Sequence, residues 1–225
     1  MIRAPQPMRL HVARHAEAIK NIEKRHGGGD QRLTPKGERQ ARGIGHYLLD
    51  NLGVELGEVS VIHQPEGRSE STAKYVGQIV AARRITRCDD LVGIDLGVRN
   101  GLSEAELAEQ FPEVTAGLAD WMTNKGFHVP DVPGGEPMDD FAKRIRRGMT
   151  ENIASAAPDS DLVMVATTSS LVMVHHLLVR DGTLSTDNYD FVSMPLGSVS
   201  TWQLSDNEQP LQLTNMVMPE ERKRE

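Results

Sequence analysis

The feature that most constrains the fold is a run of five apolar residues, Leu-Val-Met-Val-Ala, at positions 162–166. A strand with one face in water alternates apolar and polar side chains, whereas a strand covered by helices on both faces is apolar throughout. We therefore interpret this run as a central strand of a mainly parallel sheet.

Strand and helix patterns alternate along the rest of the chain, which is typical of a parallel sheet with helices on both faces. Further strands are predicted at residues 8–13, 59–63 and 198–204, the last with an alternation that favours burial of one face. Helices are predicted from Thr34-Pro35, an N-cap followed by a first-turn proline, and at residues 69–82, 138–153 and 169–179. The sequence thus predicts an α/β fold, a three-layer α/β/α sandwich.

Length and composition favour one domain of 225 residues, with a small cap inserted at about 95–135 and a flexible charged tail at about 217–225. The net charge of −7 argues against nucleic-acid binding, which needs a basic face. No apolar run approaches the roughly eighteen residues of a membrane span. The single cysteine, Cys88, fits a reducing compartment, so a cytoplasmic location is expected. The oligomeric state stays open.

Candidate functional residues lie just after the predicted strands, because ligands of open α/β sheets bind at the carboxyl ends of the strands. Arg14 and His15 follow the first strand. A guanidinium can hold two phosphate oxygens at once, and a neutral imidazole can attack phosphorus to form phosphohistidine. The pair therefore suggests phosphate chemistry, although two adjacent residues alone are a weak signal.

The stretch Arg14-His15-Ala16-Glu17 resembles the Arg-His-Gly-Glu signature of the histidine phosphatase superfamily, which includes cofactor-dependent phosphoglycerate mutases. Four more blocks follow in the family's order. They are Leu33-Thr34-Pro35-Lys36-Gly37-Glu38-Arg39-Gln40-Ala41, Gln64-Pro65-Glu66-Gly67-Arg68 with Ser71-Thr72-Ala73, Pro133-Gly134-Gly135-Glu136, and Gly197-Ser198-Val199-Ser200. Ordered blocks over residues 8–204 are far more specific than any one of them.

The resemblance implies roles for individual residues. His15 would be the nucleophile that carries the phosphoryl group, and Arg14, Asn21 and Arg68 would bind it. The resemblance implies a small phosphorylated or anionic substrate, no metal and no cofactor. Gln64 stands where the family usually has serine, a departure that we expect to be of small consequence.

Two positions depart from the family pattern more seriously. In the segment that matches Leu-x-Glu-x-x-x-Gly, Gly93 stands at the glutamate that serves as general acid or base. After the central strand, Thr167 takes the place of a phosphate-binding histidine, with Thr168 as the alternative if the alignment shifts by one. A general acid contributes about 10²–10⁴ in rate, and loss of a charged donor costs roughly 10²–10³ more.

Several interpretations remain open at this stage. Asp95 or Glu17 could replace the missing acid, although both can also be read as solvated or capping carboxylates. A substrate with a good leaving group, such as an acyl phosphate, would need no acid. The chain is then either a phosphatase or phosphomutase with altered activity, an inactive pseudophosphatase that binds an anion, or an enzyme repurposed for another reaction.

Overall fold

The computed structural model describes residues 2–23, 29–117, 132–157, 160–179, 194–206 and 208–219. Its sheet contains β1 (Met8–Arg14), β2 (Val59–His63), β3 (Arg84–Arg87), β4 (Asp161–Ala166), β5 (Val199–Leu204) and β6 (Leu211–Val217), in the order β3-β2-β4-β1-β5-β6. The pairs β3/β2, β2/β4 and β4/β1 are parallel, and β5 pairs antiparallel with both β1 and β6. The predicted mainly parallel sheet is confirmed, with the apolar run in an inner strand, β4.

The described helices include α1 (Ile19–Glu23), α2 (Pro35–Leu52), α3 (Gly67–Ile79), α4 (Glu104–Gln110), α5 (Met138–Ala154) and α6 (Thr168–Val179). Four of them, α2, α3, α5 and α6, cover the two faces of the sheet. One core joins α2 and α3 to Val61 and Val163, and the other joins α5 and α6 to Leu162 and Met164. Since neighbouring residues of β4 enter opposite cores, the three-layer sandwich is confirmed. None of the described helices is long and apolar enough to cross a bilayer.

Two strands were not predicted, and one prediction about a strand was wrong. Strands β3 and β6 lie at the ends of the strand order, and every side chain of β3 is exposed, so neither shows the apolar pattern of an inner strand. The prediction that β5 buries one face was incorrect. Val199 and Trp202 enter opposite cores because β5 lies between β1 and β6 and is covered on both sides.

The predicted cap is described only in part, because residues 118–131 lie outside the described residues. Its helix α4 begins after Ser103, which forms a reciprocal capping box with Glu106. Leu107 and Val114 form a small separate apolar cluster there. In the predicted tail, Val217 still belongs to β6, while residues 220–225 lie outside the described residues.

The start of α2 packs tightly against the segment that follows β1. The Thr34 hydroxyl accepts a hydrogen bond from the Gly37 amide at 2.9 Å, which caps the helix. A Cβ at Gly37 would lie 1.9 Å from the backbone oxygen of Glu17. Only glycine therefore lets the first turn of α2 approach the residues next to His15.

We expect Gly37→Ala to lower the free energy of unfolding by about 3 kcal/mol or more, because backbone must move to relieve the clash. Urea denaturation measures this change. Gly53→Ala is the matched control: Gly53 ends α2 with a φ of 59° and has open space around it, so alanine should cost only about 1 kcal/mol. Equal losses in the two variants would contradict the packing argument.

Candidate active site

Three neighbouring strands end at the same level and bring distant residues together. Arg14 pairs with Ala166 across β1 and β4, and the His15 amide donates to the Ala166 carbonyl at 3.0 Å. On the other side of β4, the Gln64 amide donates to the Val165 carbonyl at 3.3 Å. The residues that follow β1, β2 and β4 therefore lie side by side at the carboxyl edge of the sheet.

His15 is held in one tautomer. Its Nδ1 lies 2.8 Å from the carbonyl oxygen of Ala16, which can only accept, so Nδ1 carries the proton. Its Nε2 accepts a hydrogen bond from Arg68 Nε at 3.0 Å. The Nε2 lone pair thus points away from the backbone and toward a guanidinium, which is the orientation a nucleophile needs.

Two arginines place positive charge beside this imidazole. Arg68 is buried in the first turn of α3 and also donates to the Gln31 side chain. Arg14 donates through Nη1 to the Met194 carbonyl, while its buried Nε has no hydrogen-bond partner among the described residues. Burial and the charge of Arg68 lower the pKa of Arg14 to about 10, so both side chains are cationic at neutral pH.

The same surroundings keep His15 neutral. The ring is 2% exposed, and burial is the main reason that its pKa lies well below the ordinary value. The charges of Arg68, Arg14 and Lys20 lower this pKa further and outweigh the Ala16 carbonyl, which raises it. A neutral imidazole between cations can attack an anion that those cations attract.

We expect removal of one of these cations to raise the pKa of His15. In Arg68→Met, protonated His15 loses an unfavourable neighbour, so its pKa should move up toward about 6.5, the value of an unperturbed histidine. NMR titration of the imidazole signals, assigned by comparison with His15→Ala, measures the shift. An unchanged pKa in Arg68→Met would show that Arg68 exerts no electrostatic effect on the nucleophile.

The positions that depart from the family pattern are contiguous in space. A Cβ at Gly93 would lie 3.0 Å from the Thr167 hydroxyl and 3.1 Å from the Ser169 hydroxyl. The Thr167 amide in turn donates to Gln64 Oε1 at 2.8 Å. Gly93, Thr167 and Gln64 therefore form one neutral wall of the site, which the sequence showed only as separate substitutions.

Gln64 makes a buried contact that was not predicted from the sequence. Its side chain is fully buried, and the bond from the Thr167 amide fixes Oε1 as the acceptor. Its Nε2 then has no acceptor among the described residues. A buried donor without a protein partner is costly unless a ligand or water satisfies it.

The two carboxylates considered as substitute acids are engaged elsewhere. The exposed Asp95 accepts from the Gly97 amide at 2.9 Å and from Asn100 Nδ2 at 2.7 Å, which favours its interpretation as a capping residue. Glu17 accepts from the Thr34 hydroxyl and pairs with Lys36 at 2.9 Å, and the Lys36 bond is the main cause of its lowered pKa. A carboxylate with a lowered pKa is a poor proton donor.

The other predicted residues lie in the same region with different local roles. Asn21 Oδ1 accepts from the Ala18 amide at 2.9 Å and so holds the turn that begins α1. Thr168 starts α6, one residue beyond Thr167, and the contact with Gly93 favours Thr167 as the residue at the histidine position. Lys20, buried near His15 and Arg68, was not identified from the sequence because nothing in its spacing marks it.

The comparisons with known proteins agree with this geometry. The model of the histidine phosphatase superfamily (branch 1) matches residues 10–216. The chain belongs to the histidine phosphatase superfamily. The match covers residues 10–14 of β1 and the carboxyl ends of β2 and β4, so it includes the region in which Arg14, His15 and Arg68 lie.

Individual relatives add to this assignment. The chain is 32% identical over 143 residues to the bifunctional protein Rv2228c of Mycobacterium tuberculosis, a match that covers 63% of this chain and 36% of that protein. It spans between 36% and 61% of the lengths of the curated relatives it matches.

Solved structures of histidine phosphatase folds superpose over nearly the whole chain. YhfR of Bacillus stearothermophilus has a TM-score of 0.76 at 21% identity and covers 93% of this chain and 96% of its own. A phosphoglycerate mutase of Bacillus anthracis has a TM-score of 0.74 at 18% identity, with 96% and 95% covered. At these identities the likeness establishes the fold alone.

Proposed function

We propose that this protein transfers a phosphoryl group from a small phosphorylated molecule to His15 and then to water. The observation that carries the proposal is the state of His15: a neutral ring, its Nδ1 proton fixed on Ala16 and its Nε2 facing Arg68. Arg14 and Arg68 supply the charge that binds the phosphoryl oxygens. The small anionic substrate predicted from the sequence is compatible with a site formed by these two arginines.

The proposed reaction has two steps. In the first, the His15 Nε2 lone pair forms a bond to phosphorus while the bond from phosphorus to the leaving oxygen breaks, and the leaving group takes both electrons of that bond. The Arg68 Nε–H, which now bonds Nε2, turns to a phosphoryl oxygen. In the second step, water attacks phosphohistidine, its proton is lost to solvent, and inorganic phosphate and neutral His15 are released.

The neutral wall limits which leaving groups can depart. Neither Gly93 nor Thr167 can deliver a proton as a glutamic acid or an imidazolium does. A leaving group that is stable as an anion needs no such proton. We therefore propose acyl phosphates and phosphoanhydrides as the preferred substrate class, with alkyl phosphates as poor substrates.

A second candidate function is a binding module without turnover. The loss of both the acid and the second histidine favours it, whereas the preserved His15 tautomer favours the enzyme. In this alternative, Arg14 and Arg68 hold an anionic metabolite and His15 only orients Arg68.

One experiment separates the two functions. The wild-type protein is incubated with acetyl phosphate, quenched in alkali, where phosphohistidine survives, and mapped by mass spectrometry, while hydrolysis of acetyl phosphate and of glycerol phosphate is followed in parallel. We expect a phosphoryl group on His15 and turnover of acetyl phosphate alone. Binding of orthovanadate with neither label nor turnover would establish the binding module instead.

A further inference from the structure

Helix α1 has an inverted pattern of burial. Lys20 is 6% exposed, while Ile22, two residues later in the same short helix, is 64% exposed. Lysine is among the residues least often buried, because removing its charge from water is costly unless something compensates. A helix that buries its lysine and exposes its isoleucine therefore calls for a functional explanation.

The position of Lys20 supplies one. Its charge interacts with those of Arg68 and Glu66 at the start of α3, and it also acts on His15. Its backbone amide donates to the Asp30 carbonyl at 2.9 Å, and its Cβ would lie 2.8 Å from a Cβ at Gly29, so residues 29 and 30 pack closely against it. The next residue, Gln31, accepts a hydrogen bond from Arg68, so the segment that packs on Lys20 also contacts the anion site. Lys20 is thus built into the same cationic cluster as the nucleophile and is covered there.

The charge balance of the site shows what this lysine could do. The family resemblance places the neutral Thr167 at the position where a second histidine would add positive charge. Arg14 and Arg68 remain, and Glu66 offsets part of their charge on the side of Lys20. A further cation next to His15 restores the positive charge that a threonine cannot provide.

Building on the proposed function, we propose that the Lys20 ammonium group is a third cation of the anion site and binds the phosphoryl oxygens together with Arg14 and Arg68. This lysine substitutes from α1 for the charge that the end of β4 no longer provides. It thereby specifies a ligand with a fully ionised phosphoryl, sulfuryl or vanadyl group.

The test measures sulfate and orthovanadate affinity by calorimetry in four proteins: wild type, Lys20→Met, Lys20→Arg and Lys74→Met. Loss of a charged hydrogen bond should weaken both anions about 10- to 100-fold in Lys20→Met, with partial recovery in Lys20→Arg. Lys74 is exposed and pairs with Glu70 in α3, so Lys74→Met should bind like the wild type. Unchanged affinity in a folded Lys20→Met would overturn the inference.

A measurement on the wild type alone gives a second readout. Burial and the charge of Arg68 lower the pKa of Lys20 to about 8, against the opposing charge of Glu66. Glu23 of α1 and His15 also face this region, and His15 titrates far lower. Sulfate stays a dianion throughout, so its affinity should fall as pH rises through about 8, and a flat profile would contradict the proposal.

The outcomes also separate this inference from the proposed function. If Arg68→Met weakens sulfate and Lys20→Met does not, the anion site stands without Lys20. If the wild type binds neither sulfate nor orthovanadate, both proposals fail. If Lys20→Met does not fold, the test uses the Lys20→Arg variant and the pH profile of the wild type instead. Neither requires a neutral side chain at this buried position.

Discussion

Replacing His15 by alanine is expected to lower turnover of acetyl phosphate by about 10³-fold or more, because the proposed reaction passes through a phosphoryl group on His15. Arg14 and Arg68 stay, so orthovanadate affinity should change far less than turnover. Steady-state kinetics and calorimetry on one preparation measure both quantities. The phosphoryl label on the protein should disappear at the same time.

Two controls make this result specific. His46→Ala removes an imidazole from α2 without touching the strand ends and should retain wild-type turnover. Urea denaturation of His15→Ala shows whether the cavity left by a buried ring has unfolded the site. If folded His15→Ala hydrolyses acetyl phosphate at the wild-type rate, phosphohistidine is not an intermediate.

The sequence predicted the inner part of the fold better than its edges. Strand β4 was evident because both faces of Leu162–Ala166 are buried, and helix α2 was evident because Thr34 and Pro35 mark its start. Strand β6 was missed because an edge strand carries polar and exposed apolar residues, such as Leu211, without a core to enforce alternation. The hydrophobic pattern therefore predicts strands whose side chains are buried and misses strands whose side chains are exposed.

The site residues could be named from the sequence where a residue type suited to phosphate chemistry also matches a family motif. Arg14, His15 and Arg68 were named from the sequence, and the structure places them in contact or in electrostatic range. The hydrogen bond between Gln64 and the Thr167 amide was not predicted, because the two residues are 103 positions apart. No local pattern encodes a contact of that kind.

Lys20 illustrates a different limit. A lysine in a short polar segment is normally solvated, so its sequence context suggests nothing unusual. Its burial arises because the Gly29–Asp30 segment returns over α1, and that path depends on the tertiary fold. Inverted burial within a helix is visible only after folding.

The second large effect is expected from introducing, at positions 93 and 167, the acid and the histidine that the family pattern predicts there. A Cβ at Gly93 points toward Thr167 and Ser169, so a glutamate there would extend into the site beside the strand end that carries Thr167. The Gly93 substitution brings a Cβ to 3.0 Å from the Thr167 hydroxyl and 3.1 Å from the Ser169 hydroxyl, so these side chains must shift by a few tenths of an ångström to admit it. The double variant Gly93→Glu with Thr167→His introduces both the acid and the imidazole of the family pattern.

We expect this double variant to hydrolyse glycerol phosphate about 10²- to 10⁴-fold faster than the wild type, which is the contribution of a positioned general acid. Turnover of acetyl phosphate should change little, because its carboxylate leaving group needs no proton. Gly93→Gln with Thr167→His is the matched control, since glutamine fills the same space without an acidic proton. Equal glycerol phosphate rates in the two double variants would mean that the neutral wall is not what restricts the leaving group, and the proposed preference for anionic leaving groups would then be wrong.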